Sequence, residues 1–441
     1  KEIIASTLKE MAKLQNADGG WSWCVGMESS EFITSRVLLH LAMLRDMGYL
    51  PAEGEAMAKS AVKYADACWV KDLKEYKGSK FPYESMLNYL YVRSNFKDVT
   101  PSASFASMEK KGLAAVKEGW KRMGIYEKAT AATLLGRKGF NMESRTILES
   151  LRQYASVSQE KGMWFDNLSS SFGGWNKLIT TAQVLEAYSE IEPKSENVDK
   201  LRQWLLITKQ TENWGDDRET AEVIHAILAS GTKWTVPSSP AEIMIDGERV
   251  NIDRFAALTG SVIVNVNAND KGNLTIHRTG VGPAWGGLIS QYIAPIKDVK
   301  SAKVAELSIE KNIYVISNDE NGTTASAGNL KVGDKVRVTL SITCDRDLEY
   351  VAVMDARSAC LEPADQISGY TQSDGVWMYR EVRDNSTNLF IPFLGKGTHV
   401  ISYECYVDRE GTYSLGIASA QSQYAPVISA HSAGKGLIIR N

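Results

Sequence analysis

Cysteine and histidine are scarce in this chain of 441 residues, with five of each. The cysteines are Cys24, Cys68, Cys344, Cys360 and Cys405, and none of them forms a C-x-x-C pair. A disulfide scaffold or a zinc site of that kind is therefore not expected. The histidines (40, 225, 277, 399 and 431) show no H-x-x-x-H spacing, so the sequence predicts no metal and no cofactor. No run approaches the ~20 consecutive apolar residues that a membrane span needs. Charge of either sign is not in excess: 50 basic and 53 acidic residues leave a net −3. That balance offers no electrostatic reason to expect a nucleic-acid partner. Gly-x-Ser-x-Gly, the P-loop and the dinucleotide fingerprint are all missing, so the common nucleophilic and nucleotide chemistries have no visible seat. The chain begins inside a helical pattern without Met and without a basic, apolar leader, which reads as a fragment or processed product.

Two kinds of periodicity are present, and the change falls near residue 236. Before it, apolar residues keep helical spacing. Leu178, Ala182, Leu185 and Tyr188 share one face, as do Val198, Leu201 and Leu205. After it, the period is two. Val336, Val338, Leu340, Ile342 and Cys344 alternate with polar residues, and so do Ile401, Tyr403, Cys405 and Val407. Half-buried antiparallel strands give that pattern. The break lies at Thr235-Val-Pro-Ser-Ser-Pro240, which has linker chemistry. The expected domains are 1–236, all helical, 237–302, a β-segment, and 303–441, a β-sandwich.

The helical part repeats. Gly173-Gly-Trp175 and Asn213-Trp214-Gly215 precede helices, with Trp175 and Trp214 one helix pair apart. Gln15-Asn-Ala-Asp-Gly-Gly-Trp21 has the same loop character. Ten helices are predicted in five pairs, starting near 2, 31, 52, 82, 104, 126, 142, 177, 197 and 217. Alternating inner and outer helices at this period make an α/α toroid. A closed toroid commonly holds six pairs, so one pair is expected upstream, and apolar inner faces should otherwise be left open.

Each chemical motif has a plain structural reading. Gly supplies positive φ at the turns and Trp packs across the next pair; a ligand platform of several Trp is the alternative. Asp216, Asp217, Glu219 and Glu222 open the last helix, where acids cap free N–H groups and complement the dipole. An Asp-x-Asp-Asp acid motif and an Asp/Cys/His zinc set are both missing, so a terpenoid cyclase or prenyltransferase on this architecture is the weakest reading. Cys360-Leu-Glu-Pro363 comes close to the thioester motif Cys-x-Glu-Gln. Pro363 has no carboxamide to be attacked, and no cysteine in the chain is followed by Gln at the third position. Cys344 and Cys405 are expected to be reduced core residues.

The chain resembles the C-terminal part of bacterial alpha-2-macroglobulins, nearest to the Bacteroidetes type. Leu14-Gln-Asn-Ala-Asp-Gly-Gly-Trp-Ser-Trp23, Gly26-Met27, Phe32-Ile-Thr34, Tyr89-Leu-Tyr-Val-Arg-Ser94 and Trp214-Gly-Asp-Asp-Arg-Glu-Thr-Ala221 resemble that family's thioester domain. Gly282-Pro-Ala-Trp-Gly-Gly-Leu-Ile-Ser-Gln-Tyr292 is similar to the CUB-like β-segment that follows it. Asp365-Gln-Ile-Ser-Gly-Tyr370, Asp384-Asn-Ser-Thr-Asn388, Lys396-Gly-Thr398, Tyr424-Ala-Pro426 and His431-Ser432 resemble the terminal macroglobulin domain.

The resemblance implies a protease trap of the cell envelope, periplasmic or surface-exposed and anchored through a missing N-terminus. Its partners would be proteases and the upstream domains of its own chain. It would be an inhibitor, not an enzyme. A bait region is cut, the molecule rearranges, and an internal thioester acylates the attacker. Thioester and bait would both lie upstream. The resemblance also singles out two pairs of residues. Tyr83 and Glu84 stand where related proteins place the residue that directs thioester chemistry, though a core or capping role is the plainer reading. Gln423 and Tyr424 stand where bacterial members shield the thioester from water. Members often carry Met where this chain has Gln423, and a polar amide is a poorer cover. A thioester-less protein that clamps proteases or envelope proteins non-covalently is therefore the alternative.

Overall fold

The computed structural model describes residues 2–76, 83–159, 161–166, 177–211, 214, 216–231, 241–250, 254–256, 261–265, 272–277, 293–316, 324–326 and 330–440. Among the described residues ten α-helices fill the first half: α1 (Glu2–Leu14), α2 (Glu31–Asp46), α3 (Ala52–Glu75), α4 (Tyr83–Arg93), α5 (Ala103–Gly119), α6 (Ile125–Arg137), α7 (Asn141–Arg152), α8 (Lys177–Ile191), α9 (Glu196–Thr211) and α10 (Asp217–Ala229). Every start lies within one residue of its sequence-based position. The caps explain the agreement. Ser30, Ser102 and Asp216 each accept a hydrogen bond from the backbone N–H three residues on, so these helices begin where a short polar side chain can satisfy a free donor. Asp216 therefore has the capping role expected of it.

The even-numbered helices form the inner layer. α2, α4, α6, α8 and α10 are successive neighbours, and the odd-numbered helices pack outside. Burial separates the two sets. α6 is buried continuously from Lys128 to Leu135 and α8 from Leu178 to Tyr188, as expected of helices surrounded by protein. α7 buries only Ser144, Ile147, Leu148 and Leu151, a single stripe. The threonines inside α6 are satisfied locally. Thr130 donates to Tyr126 O at 3.0 Å and Thr133 to Ala129 O at 3.1 Å, which removes the cost of burying a hydroxyl.

Between α7 and α8 a short hairpin, β1 (Ala155–Ser158) with β2 (Gly162–Phe165), was not foreseen. Trp164 stacks on Trp204 of α9, centroids 6.5 Å apart. Gly162 has φ +84°, and a Cβ there would lie 2.1 Å from Lys200 O. Only glycine meets both demands.

After α10 come β3 (Glu242–Ile245), β4 (Glu248–Arg249), β5 (Arg254–Ala256), β6 (Ser261–Ile263) and β7 (Leu274–His277), in two small antiparallel sheets, β4-β3-β7 and β5-β6. The chain divides into two compact units, 1–206 with 215–285, and 207–214 with 286–441.

The second unit is a sandwich. Its strands are β8 (Leu307–Ile316), β9 (Thr324–Ser326), β10 (Leu330–Lys331), β11 (Lys335–Cys344), β12 (Leu348–Ala356), β13 (Leu361–Pro363), β14 (Gly369–Ser373), β15 (Val376–Val382), β16 (Ser386–Leu394), β17 (Gly397–Val407), β18 (Gly411–Ser414), β19 (Ala418–Ser422), β20 (Ser429–His431) and β21 (Gly436–Arg440). One sheet runs β13-β17-β11-β8-β9 and the other β14-β15-β16-β12-β19-β20, with a small β10-β21-β18 sheet beside them. Pairing is antiparallel except between β10 and β21. The alternation read from β11 and β17 is the observed one. Val336, Val338, Leu340, Ile342, Cys344, Ile401, Tyr403, Cys405 and Val407 are all buried. The inward cysteines are free and far apart. Cys344 stands opposite Gly397 at one end of β11, and Cys405 opposite Val336 at the other. Cys360 is buried just before β13, a core position.

Candidate functional site

The five inner helices all present their carboxyl ends to one mouth of the ring. There they enclose a cavity of about 550 Å³ lined by the last turns of α2, α4, α6, α8 and α10. Helix carboxyl ends carry partial negative charge. The cavity answers it with Arg137 and Lys97, and adds its own acids, Asp46, Asp98, Glu186 and Glu190.

Arg137, the last residue of α6, organises the wall. Its guanidinium donates to Glu186 Oε1 at 2.6 Å, Glu190 Oε2 at 2.9 Å, Ser94 Oγ at 3.1 Å and Asn95 Oδ1 at 3.0 Å. Glu186 also accepts from the Tyr91 hydroxyl, at 2.6 and 2.7 Å. Burial pushes the Glu186 carboxyl above its ordinary range, and the Arg137 charge opposes that push. Burial and the Glu186 charge both hold Tyr91 protonated.

Behind this wall a second buried pair shapes the segment that follows α4. Arg93 donates to Asp66 Oδ1 at 3.0 Å, Phe96 O at 2.7 Å and Val99 O at 2.7 Å. Tyr89 donates to Asp66 Oδ1 at 2.6 Å. The residues of Tyr89-Leu-Tyr-Val-Arg-Ser94 thus take part in two internal polar clusters, Tyr89 and Arg93 around Asp66 and Tyr91 and Ser94 around Glu186 and Arg137, which their sequence spacing alone did not disclose.

The ring is joined back on itself by polar side chains. His225 of α10 meets Asp46 of α2 at 3.2 Å, and Glu222 approaches Arg36 at 3.9 Å. The His225 hydrogen bond holds the Asp46 carboxyl below its usual range. Burial pushes Glu222 up against the pull of Arg218 and Arg36. At the opposite mouth, Glu31, Arg36, Trp69, Tyr89 and Tyr126 border a smaller hollow of about 120 Å³. Among the described residues no three His, Cys, Asp or Glu side chains converge to hold a metal ion.

The residues singled out from sequence fall in different places. Tyr83 and Glu84 open α4, but their side chains lie outside the described residues. Gln423 and Tyr424 sit in the turn between β19 and β20, and both are exposed. That turn is nonetheless held. Gln423 N donates to Tyr350 O at 3.0 Å, Ser422 N to Ile428 O at 3.0 Å, and Ile428 N to Ala425 O at 2.8 Å. Tyr424 stands edge-on to Tyr350, centroids 5.3 Å apart. Tyr350 itself has φ +51°, an uncommon region for a bulky side chain. Two exposed tyrosines held by a strained strand and a tied turn suit a contact surface better than a core. Of the tryptophan loops, Trp21 is buried and donates to Met11 O at 3.1 Å, and Trp214 is buried. These two are packing residues. Trp175 and the segment Gly282–Tyr292 lie outside the described residues.

Comparison with known proteins adds a family likeness. Residues 307–426 match the family model of the Bacterial Alpha-2-macroglobulin MG10 domain. An Alpha-2-macroglobulin homolog from Nostoc sp. is 23% identical over 324 residues, which are 67% of this chain and 16% of that protein. The chain therefore spans a minor part of the length of this curated relative. The crystal structure of trypsin activated alpha-2-macroglobulin from Escherichia coli aligns with a TM-score of 0.46 at 14% identity, over 98% of this chain and 29% of that one. Escherichia coli alpha-2-macroglobulin activated by porcine elastase gives 0.42 at 16% identity, over 98% and 38%.

Proposed function

We infer from the bacterial alpha-2-macroglobulin family, to which this chain belongs, that it is the C-terminal part of a broad-spectrum protease inhibitor of the cell envelope, periplasmic or surface-exposed. The match of residues 307–426 to the MG10 domain carries this reading. The chain is taken to act within the full-length protein, as an inhibitor and not an enzyme. It supplies a helical ring, the β-segment after it and a terminal sandwich, with the domain limits read from sequence. Its partners are proteases and the other domains of its own chain.

The activity to measure is that of the full-length protein. With trypsin or elastase added in equal amount, cleavage of casein should fall while cleavage of a small peptide substrate persists. That split is the mark of a protease enclosed but not blocked at its active site. Unchanged casein cleavage would reject the reading.

One observation favours a non-covalent variant. Gln423 offers an exposed amide beside Tyr424, where an apolar cover would be wanted. Intact mass of the full-length protein with and without methylamine separates the two mechanisms. Gain of one methylamine and one reactive thiol means a thioester elsewhere in the protein. No gain on fresh, uncleaved protein, with no Cys-x-Glu-Gln in its sequence, makes it a clamp.

A further inference from the structure

The sandwich core contains a charged pair that neither the family match nor the proposed function uses. Lys311 lies on β8 between the inward residues Ile309 and Ile313, and so points into the core. Asp355 lies on β12 after the inward residues Val351 and Val353, and points in from the other sheet. The side chains are 2% and 0% exposed. Lys311 Nζ is 2.5 Å from Asp355 Oδ1.

The surroundings assign a place to each atom of the pair. Lys311 Nζ donates to Ala356 O at 2.7 Å and to Leu415 O at 3.2 Å. Two N–H bonds are thereby occupied, and the Asp355 carboxyl is the charged group beside the nitrogen. Asp355 Oδ1 is close to that nitrogen but accepts no hydrogen bond of good geometry. Asp355 Oδ2 accepts from the Tyr403 hydroxyl at 2.6 Å. Arg357, whose charge also reaches Asp355, donates instead to Ser386 O, Asp384 O and Thr387 Oγ1.

We propose that Lys311 and Asp355 condense to an isopeptide bond that covalently joins the two sheets of the sandwich. The step balances without any co-reactant. The ammonium first passes one proton to the carboxylate, giving a neutral amine and a carboxylic acid. The Nζ lone pair attacks Cγ, and the N–Cγ bond forms. Charge developing on Oδ2 is stabilised by the Tyr403 hydroxyl, as a donor stabilises an oxyanion. The Cγ–Oδ1 bond then breaks, and Oδ1 leaves as water with its own proton and one amine proton. Oδ2 remains as the amide carbonyl on Tyr403, and the remaining N–H keeps Ala356 O.

Two general effects favour the step. A buried site of low dielectric disfavours the charged pair relative to the neutral one, and burial does push the Asp355 carboxyl above its ordinary range. A fixed amine beside a fixed carboxyl also removes the entropy of encounter.

The test is intact mass of the purified, folded 441-residue chain under denaturing conditions, followed by tryptic mapping. The expected mass is one water below the sequence mass, with Lys311 resistant to trypsin and its peptide joined to the one holding Asp355. Lys311→Arg should restore the full mass. Asp355→Asn should lose one ammonia instead of one water, which keeps the test independent of how well the arginine variant folds. A wild-type mass equal to the sequence mass, with cleavage after Lys311, would overturn the proposal and leave the two residues an ion pair.

Discussion

Asp46 and His225 are 179 residues apart in sequence and 3.2 Å apart in space, and their contact ties the last inner helix to the first. The seam between α10 and α2 is polar, whereas α6 and α8 meet through continuous buried faces. Five inner helices are thus joined into a ring, although a sixth pair was expected before the inner layer could be covered. Ile224 and Leu228 of α10 and Phe32 of α2 do remain exposed, so the described helices leave some apolar surface on either side of the seam.

The Asp46 contact makes stability depend on pH. Its carboxyl is held below the usual range by His225, so its folded pKa is below its unfolded one. The stability it adds is present above the unfolded value near 3.8 and is lost as pH falls through the folded one. Asp46 is well exposed, so the contribution is under about 1 kcal/mol. Asp46→Asn should lower the denaturant midpoint at pH 7 and lower it less near pH 3. An equal loss at both values would show that the carboxylate charge is not the cause.

Tyr91→Phe tests the cavity wall. The change removes the hydroxyl and leaves Glu186 buried with Arg137 and the more distant Gln183 amide, 3.4 Å away. The expected cost is about 1–3 kcal/mol, that of a buried polar group deprived of a partner. A loss of a few tenths in chemical denaturation would mean that water replaces the hydroxyl.

Gly162→Ala and Gly139→Ala form a matched pair, since both glycines have φ +84°. A Cβ at Gly139 meets nothing within 4 Å, while at Gly162 it would strike Lys200 O. Gly139→Ala should cost about 1 kcal/mol, from backbone strain only. Gly162→Ala should cost several times more, because the hairpin must lift off α9. Equal thermal shifts in the two variants would refute the close approach.

Tyr424→Ala should change the stability of the chain by no more than about 0.5 kcal/mol, as an exposed substitution. In the full-length protein the same variant should weaken protection of casein. Full inhibition by the variant would remove Tyr424 from the proposed surface.

The helix starts were legible because caps and periodicity are local. The β11 and β17 faces were legible because alternation against one core leaves only one register. The hairpin β1–β2 was not, since Ala155–Ser158 is short and polar and is held by α9, which comes later in the chain. The ring seam was hidden for the same reason. Glu222 read as an acid near a helix start, and only the fold brings Arg36 to it. Lys311 could have been noticed: the β8 pattern that points Ile309 and Ile313 inward points Lys311 inward as well. Its partner Asp355 needed the facing sheet. Gln423 and Tyr424 were singled out by family resemblance, and nothing in their local pattern marks them.

The most direct measurement is size separation of the full-length protein after mixing with equimolar trypsin, with small-substrate activity read across the fractions. A protease trap should carry trypsin in its own large fraction, still active on the small substrate and inactive on casein. Trypsin eluting alone at its own volume, after cutting the protein, would contradict the trap.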